Sequence, residues 1–494
     1  MKMQKNYVRR STMYRLFNGT FYTMDELESV HELYVDHEGL ITTNQVEIND
    51  VIDIDMQGQY IYPAFVDCHL HLMGYGQFLS RLQIKGVLNK QDVYMFIKKH
   101  LDLNMIYIEH YKPSMNINKK DLDDISKDIP IYLRHEDYHG MTLNSKALEI
   151  MQFESEDGIL KEEEATMALQ SIPKNTIDTL TSFLMKAYQK LNAYGIIAGH
   201  SDDLYYFNGY HDTLQAFFQA SQSHLFYNHL LVHHQTLKDH IRRPIVENDF
   251  VELGAVKMFY DGTTGSKTAL MSTPYVDDTY GMRITSMKKF KAQVTQARKA
   301  NMAVAIHVIG DQGLLEVAKI LREIPVKKGL FDRVIHASYA NQEAIHILKT
   351  LDVFLDIQPQ FLTTDLPHTL SLFKDTPNMV FPFKMYHDAH IHYGYSSDAP
   401  VEDPNPLLGI YAAETRNVGQ IHDKDQCMTR YDAVKAYTTN AWMLSKLNGG
   451  YLKPTFPAHF VVFKEDLLKI NHDRLKTLQV SETWMQGKNI YKAP

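Results

Sequence analysis

The sequence predicts an α/β fold: a (β/α)8 barrel, a small β domain built from both chain ends, and a subdomain inserted after the first barrel strand. Three observations carry this expectation. The middle of the chain alternates eight short apolar segments with helical patterns, the two ends share a β-rich texture, and a long stretch interrupts the alternation early.

The N-terminal segments 14–23, 31–37 and 51–54 are rich in β-branched and aromatic residues, with Glu38-Gly39 and Gln57-Gly58 as turn signals. Residues 460–463 and 480–491 return to that texture. Residues 1–62 and 445–494 are therefore assigned to one composite β-sandwich, and 63–444 to the barrel. Barrel strands are expected at 61–67, 195–200, 225–233, 251–260, 302–307, 333–336, 353–358 and 391–397. Between several of them lie amphipathic helices. In one, Leu314, Leu315, Val317, Ala318 and Leu321 form an apolar stripe behind Asp311, a candidate cap. Eight strands alternating with helices favour a barrel over a doubly wound sheet.

The stretch from about 72 to 194 is too long for a loop. It has helix patterns of its own at 92–101 and 177–191, and strand-like runs at 105–109 and 131–133. It is read as an insert on the active-site face, where such barrels carry their long loops.

Composition narrows the function classes. Hydrophobic residues at 44% and charged residues at 22% are ordinary for a globular chain of 494 residues. A net charge of -8 without a long basic run argues against nucleic acid as a partner. No apolar run approaches the ~18 residues of a membrane span. Two cysteines, Cys68 and Cys427, cannot build a disulfide framework, and no apolar segment follows the basic N-terminus, so a cytoplasmic location is expected. The sequence leaves homo-oligomerisation open.

The chemistry begins at His69 and His71. Spaced i, i+2 at the end of a strand, they share one face, and two adjacent imidazoles are half of a metal site. With 25 histidines in the chain, placement decides which of them matter. His307 ends the fifth expected strand, His336 the sixth, Asp398 follows the eighth, and Lys257 lies on the fourth. Barrel enzymes place their chemistry at these strand ends. Singly, each has a bland explanation: a rim histidine, a salt-bridge lysine, a loop-capping aspartate. A second His-x-His, His390 and His392, precedes its strand or sits low on it and is assigned to packing or a polar barrel base. A buried lysine made neutral is a nucleophile. Carbon dioxide would convert it to a carbamate, and four imidazoles, one aspartate and a carbamate suit two divalent metals about 3.5–4 Å apart, typically zinc.

Several motifs carry a wider resemblance. They are Tyr62-Pro-Ala-Phe-Val-Asp-Cys-His-Leu-His71, Leu133-Arg-His-Glu-Asp-Tyr-His139, Asn144-Ser-Lys-Ala-Leu148, Lys257-Met-Phe-Tyr-Asp-Gly262 with Pro274-Tyr275, His307-Val-Ile-Gly-Asp311, Gln358-Pro359 and Ser397-Asp-Ala-Pro-Val-Glu402. Together they resemble the amidohydrolase superfamily of metal-dependent hydrolases, above all the subgroup that contains N-substituted formamide deformylases. The resemblance implies a distorted (β/α)8 barrel with a β-sandwich made from both chain ends. It also implies metal ligation by His69, His71, carboxylated Lys257, His307, His336 and Asp398. Ala64 and Ser396 stand where the family usually has glycine, and Ala458-His459-Phe460 replaces an Ala-Asp-Phe-like element.

The expected reaction is hydrolysis of a C–N bond in a small N-acyl or N-formyl amide by a metal-activated hydroxide, with Asp398 as base and then acid. In the insert, Asp137, His139 and Asn144 are candidates either for contacting substrate or for fixing local turns. Tyr138 and Tyr260 are candidate pocket walls, and Asp311 either orients a ligand or caps its helix. Two other classes share these residues: a metal-binding scaffold and a non-hydrolytic enzyme such as an isomerase.

Overall fold

The computed structural model describes residues 13–25, 28–43, 51–84, 89–135, 140–161, 164–165, 167, 174–244, 247–377, 379–419 and 422–494. The chain divides into two compact units, Met1–Leu72 with Ala187–Pro494, and Met73–Lys186.

The first unit holds the barrel. Its strands, in order around the sheet, are Phe65–Leu70, Ile196–Ser201, Tyr227–His233, Val251–Phe259, Val304–Val308, Asp332–His336, Val353–Ile357 and His392–Tyr395. Each neighbouring pair in that order is parallel. Every residue of the first, second, third, sixth and seventh strands is buried. Burial on both faces explains why these segments show no apolar–polar alternation. Helix Asp311–Glu323 buries the predicted stripe of Leu314, Leu315, Val317, Ala318 and Leu321. The barrel interior carries a buried ion pair: Arg333 Nε donates to Asp356 Oδ2 at 3.0 Å, and Arg333 Nη2 donates to the Cys68 carbonyl at 2.5 Å.

Both chain ends build a second sheet in the same unit. Met13–Tyr22, Ser29–Val35, Ile41–Thr42, Val51–Asp55 and Tyr60–Pro63 join Phe460–Phe463, Val480–Met485 and Lys488–Lys492 in one eight-stranded sheet. The ends meet where Phe460–Phe463 runs antiparallel to Tyr60–Pro63. Leu16, Phe21, Ile61, Phe460 and Val462 pack there as a core. Tyr22 and Tyr62 stack at 4.7 Å, and both hydroxyls donate to buried Asp466, at 2.6 and 2.7 Å. The unusual His459 is accommodated by burial: it stacks on Trp442 at 5.7 Å, and its Nδ1 accepts from the Gln486 amide at 3.1 Å. From Tyr60–Pro63 the chain enters the first barrel strand almost at once, so this sheet anchors the strand that delivers His69 and His71.

The second unit, Met73–Lys186, has its own five-stranded sheet, ordered Ile159–Lys161, Gly140–Leu143, Ile131–His135, Ile106–Tyr111 and Leu82–Gln83. Val93, Ile97, Ile106, Ile108, Ile131 and Leu133 form its core. The strand-like runs expected at 105–109 and 131–133 are both strands here. The short hairpin partners at 140–143 and 159–161 carry too few residues to show a period.

Candidate metal centre

Side chains from five barrel strand ends converge. His69 is fully buried and His71 is a quarter exposed. Asp398 Oδ1 lies 3.4 Å from His69 Nε2 and 3.5 Å from His71 Nε2. Lys257 Nζ reaches to 3.5 Å from His69 Nε2. His336 Nε2 stands 2.9 Å from His307 Nδ1. Among the described residues, one ligand atom from each of His69, His336 and Asp398 lies within 4.8 Å of the others.

The hydrogen bonds behind the imidazoles assign their tautomers. Gln358 Nε2 donates to the Asp356 carbonyl and to Ser396 Oγ, so its Oε1 is the acceptor facing His336 Nδ1 at 2.8 Å. His336 therefore carries its proton on Nδ1, and its Nε2 presents a lone pair. His307 Nε2 faces the Gly262 carbonyl at 3.3 Å, which only accepts, so the His307 lone pair is on Nδ1. Two lone pairs thus meet at 2.9 Å, with His336 buried and His307 half-buried. Neutral imidazoles with their second nitrogen anchored are the form in which histidine binds a cation, and the donor set fits a divalent metal.

Electrostatics agree with the geometry. Burial, reinforced by Lys257 and neighbouring imidazoles, pushes His69 well below the usual histidine range, and burial with His336 and Lys257 does the same for His307. Burial also lowers His336, against the pull of Asp398. Burial tends to lower His71, but Asp398 and Asp203 outweigh it and raise it. Burial works to raise the Asp398 carboxyl, yet His71, His336 and Lys257 hold it below the usual range. His69, His307 and His336 are thus offered as neutral nitrogens beside an ionised Asp398, while Asp398 and Asp203 draw His71 toward its protonated form.

Two carboxylates that sequence reasoning missed complete the surroundings. Asp202 and Asp203 follow the second barrel strand directly, so the strand-end rule that selected the candidate ligands applies to them equally. Asp202 Oδ2 pairs with Lys257 Nζ at 2.9 Å, both side chains buried. Asp203 Oδ1 lies 3.8 Å from His71 Nδ1, and its Oδ2 accepts from Ser201 Oγ at 2.6 Å.

Other expectations resolve differently. Asp311 neither caps its helix nor touches a ligand. Gly310 occupies the cap position, and the Asp311 carboxylate accepts from the backbone N–H and hydroxyl of Ser272, tying down a loop. Tyr260 is fully buried, with its hydroxyl donating to Glu316 and its ring against Phe290, so it lines no pocket. His390 and His392, assigned to packing or a polar barrel base, are both exposed, just before and at the start of the eighth strand, with His392 edge-on to Phe331 at 5.4 Å. In the second unit, Asn144 is buried and its amide is fully used. Oδ1 accepts from Ile131 N at 3.0 Å and Ala147 N at 2.9 Å, while Nδ2 donates to the Ser126 and Ile129 carbonyls at 2.9 Å each. That is the turn-fixing role. Asp137, Tyr138 and His139 lie outside the described residues.

Comparison with known proteins places this site in a family. The model of the amidohydrolase family matches residues 53–491. The chain is 27% identical to YtcJ of Bacillus subtilis (strain 168), whose name puts it among amidohydrolases, over 96% of this chain and 98% of that protein. A crystal structure of an uncharacterized metal-dependent hydrolase from Pyrococcus horikoshii OT3 superposes with a TM-score of 0.82 at 25% identity, covering 93% of this chain and 99% of the other. One from Pyrococcus furiosus gives 0.79 at 22% identity over 92% and 100% of the two chains. A match that takes in the inserted unit, the barrel and all the strand ends at the centre shows that the chain belongs to the amidohydrolase family.

Proposed function

We propose that the protein is a metal-dependent hydrolase that cleaves the C–N bond of a small N-acyl or N-formyl amide, in the manner of N-substituted formamide deformylases. The observation that supports this most is the facing pair of lone pairs on His336 Nε2 and His307 Nδ1, 2.9 Å apart. Next to them stands an ionised Asp398 within 3.5 Å of both His69 and His71. Divalent cations held here, zinc by the ligand chemistry, would supply an activated water nucleophile at neutral pH and polarisation of the scissile carbonyl.

The residues of this chain do the rest. His69, His71, His307, His336 and Asp398 would hold the cations. Asp398, kept ionised by His71 and His336, accepts the proton of the attacking water at its carboxylate and delivers it to the departing nitrogen. Lys257 Nζ is aimed into the centre, and addition of carbon dioxide to that nitrogen with loss of a proton would give a carbamate oxygen ligand for the cations. A carbamate reverses the charge that Asp202 now answers at 2.9 Å, so the carbamate and a filled centre belong together.

The test is turnover. Zinc-loaded protein is expected to release amine from a panel of N-formyl and N-acyl amines, and Lys257→Ala to abolish it. In 13C-bicarbonate, a carbamate carbon resonance is expected in the wild type and not in Lys257→Ala. Stoichiometric metal with no hydrolysis across the panel, or a product of unchanged mass, contradicts the proposal.

A further inference from the structure

The eight barrel strands are joined by seven parallel ladders, and the eighth junction is different. The ladder path begins at Phe65–Leu70 and ends at His392–Tyr395, and among the described residues no ladder links these two. The candidate ligands straddle this seam: His69 and His71 stand on one side and Asp398 on the other.

Three connections cross it at the level of the ligands. Asp398 N donates to the His69 carbonyl and His71 N to the Ala399 carbonyl, each at 2.8 Å. The third is the side chain of Asp67, which is fully buried. Both its oxygens accept from Ser397 N at 3.2 Å, and Oδ2 also accepts from Ser397 Oγ at 2.5 Å. On its own strand, Oδ1 accepts from His69 N at 3.1 Å. Ser397 Oγ in turn accepts from Ala399 N at 3.0 Å, so the residues on both sides of Asp398 are held by one carboxylate.

The chemistry of the contact selects aspartate. Every group facing Asp67 here is a donor, and a carboxylate is the side chain of this length that only accepts. The hold is needed because Asp398 has φ 58, a left-handed conformation that a non-glycine residue keeps only when its surroundings impose it.

We infer that Asp67 is a positioning residue, a clasp that closes the barrel seam and sets Asp398 against the His69–His71 pair. Metal affinity then depends on Asp67 although it is not itself a ligand. The inference rests on the metal reading above, and its test separates the two.

Zinc affinity is measured by chelator competition on the full-length protein, with hydrogen–deuterium exchange of the metal-free form. Asp67→Asn places an amide N–H against a donor. It is expected to weaken zinc binding about 10–100-fold, as loss of a group that orients ligands does. Ser397→Ala keeps the Ser397 N–H bonds and is expected to weaken it less, by about 3–10-fold. In both variants, metal-free peptides covering 65–72 and 395–402 exchange about tenfold faster while those covering 304–308 do not, the signature of local opening. Asp466→Asn, in the turn that ties Tyr22 and Tyr62 of the composite sheet, lowers thermal stability without moving zinc affinity. Should Asp67→Asn fail to fold, Ser397→Ala decides. Zinc affinity within threefold of wild type, or unchanged exchange at the seam, overturns the clasp. A wild-type protein that binds no metal overturns the metal reading instead, and the exchange result then judges the clasp alone.

Discussion

Replacing Gln358 by leucine probes the tautomer that the centre requires. Leucine fills a similar volume but removes three hydrogen bonds: from His336 Nδ1 at 2.8 Å, to the Asp356 carbonyl at 2.9 Å and to Ser396 Oγ at 2.8 Å. His336 Nδ1–H is then left without an acceptor in a buried site, which costs about 1–3 kcal/mol. The ring can recover part of that by moving its proton to Nε2, where it faces His307 Nδ1 and blocks the lone pair a metal needs. Loss of such an anchor weakens metal binding about 10–100-fold, which corresponds to about 1.4–2.7 kcal/mol. The two magnitudes agree, so most of the penalty is expected in affinity. Zinc competition at neutral pH measures it, with circular dichroism as a check on folding. Gln358→Glu restores an acceptor for His336 and is expected to recover part of the loss. A folded Gln358→Leu protein that binds zinc like wild type would refute the tautomer argument.

Two further predictions concern parts away from the metal. Asn144→Ala removes the cap of helix Ser145–Met151 and leaves the Ile131 amide without its acceptor. It is expected to destabilise the Met73–Lys186 unit by roughly 2–4 kcal/mol, seen as faster exchange in Ile131–His135, with metal content unchanged; unchanged exchange there contradicts the turn-fixing role. Asp466 is pushed up by burial, but the Tyr22 and Tyr62 hydroxyls and Lys469 more than offset this and hold it below the usual carboxylate range. A depressed folded pKa contributes stability that is present above the unfolded value near ~4 and lost as pH falls through the folded value. The Tm gap between wild type and Asp466→Asn should therefore be widest near neutral pH and close in acid, and a gap independent of pH contradicts this.

How much of this was legible from sequence depends on the range of the signal. The barrel strands announced themselves because burial on both faces makes a local apolar run, and His69 and His71 because two residues of one strand carry their own spacing. His307, His336, Lys257 and Asp398 followed from their places at strand ends. What stayed hidden acts across the chain. Asp67 and Ser397 are 330 residues apart, and no local period expresses that pairing. Gln358 lies in a recognised motif, but its role depends on which way an imidazole 22 residues away in sequence is turned. Asp311 and Tyr260 were misjudged for the same reason, since strand-end placement says which residues are near the centre and not which way each side chain faces. Asp202 and Asp203 were within reach of the rule and were passed over.

The central claim is that His69, His71, Lys257, His307, His336 and Asp398 form one metal centre. Metal analysis of protein purified from zinc-supplemented cells tests it most directly, with His336→Ala and His71→Ala alongside. The account predicts about one to two equivalents of divalent metal in the wild type, as expected for a mono- or dinuclear hydrolase centre, and a clear loss in both variants. Wild-type protein without bound metal, or variants that keep the full complement, would contradict it.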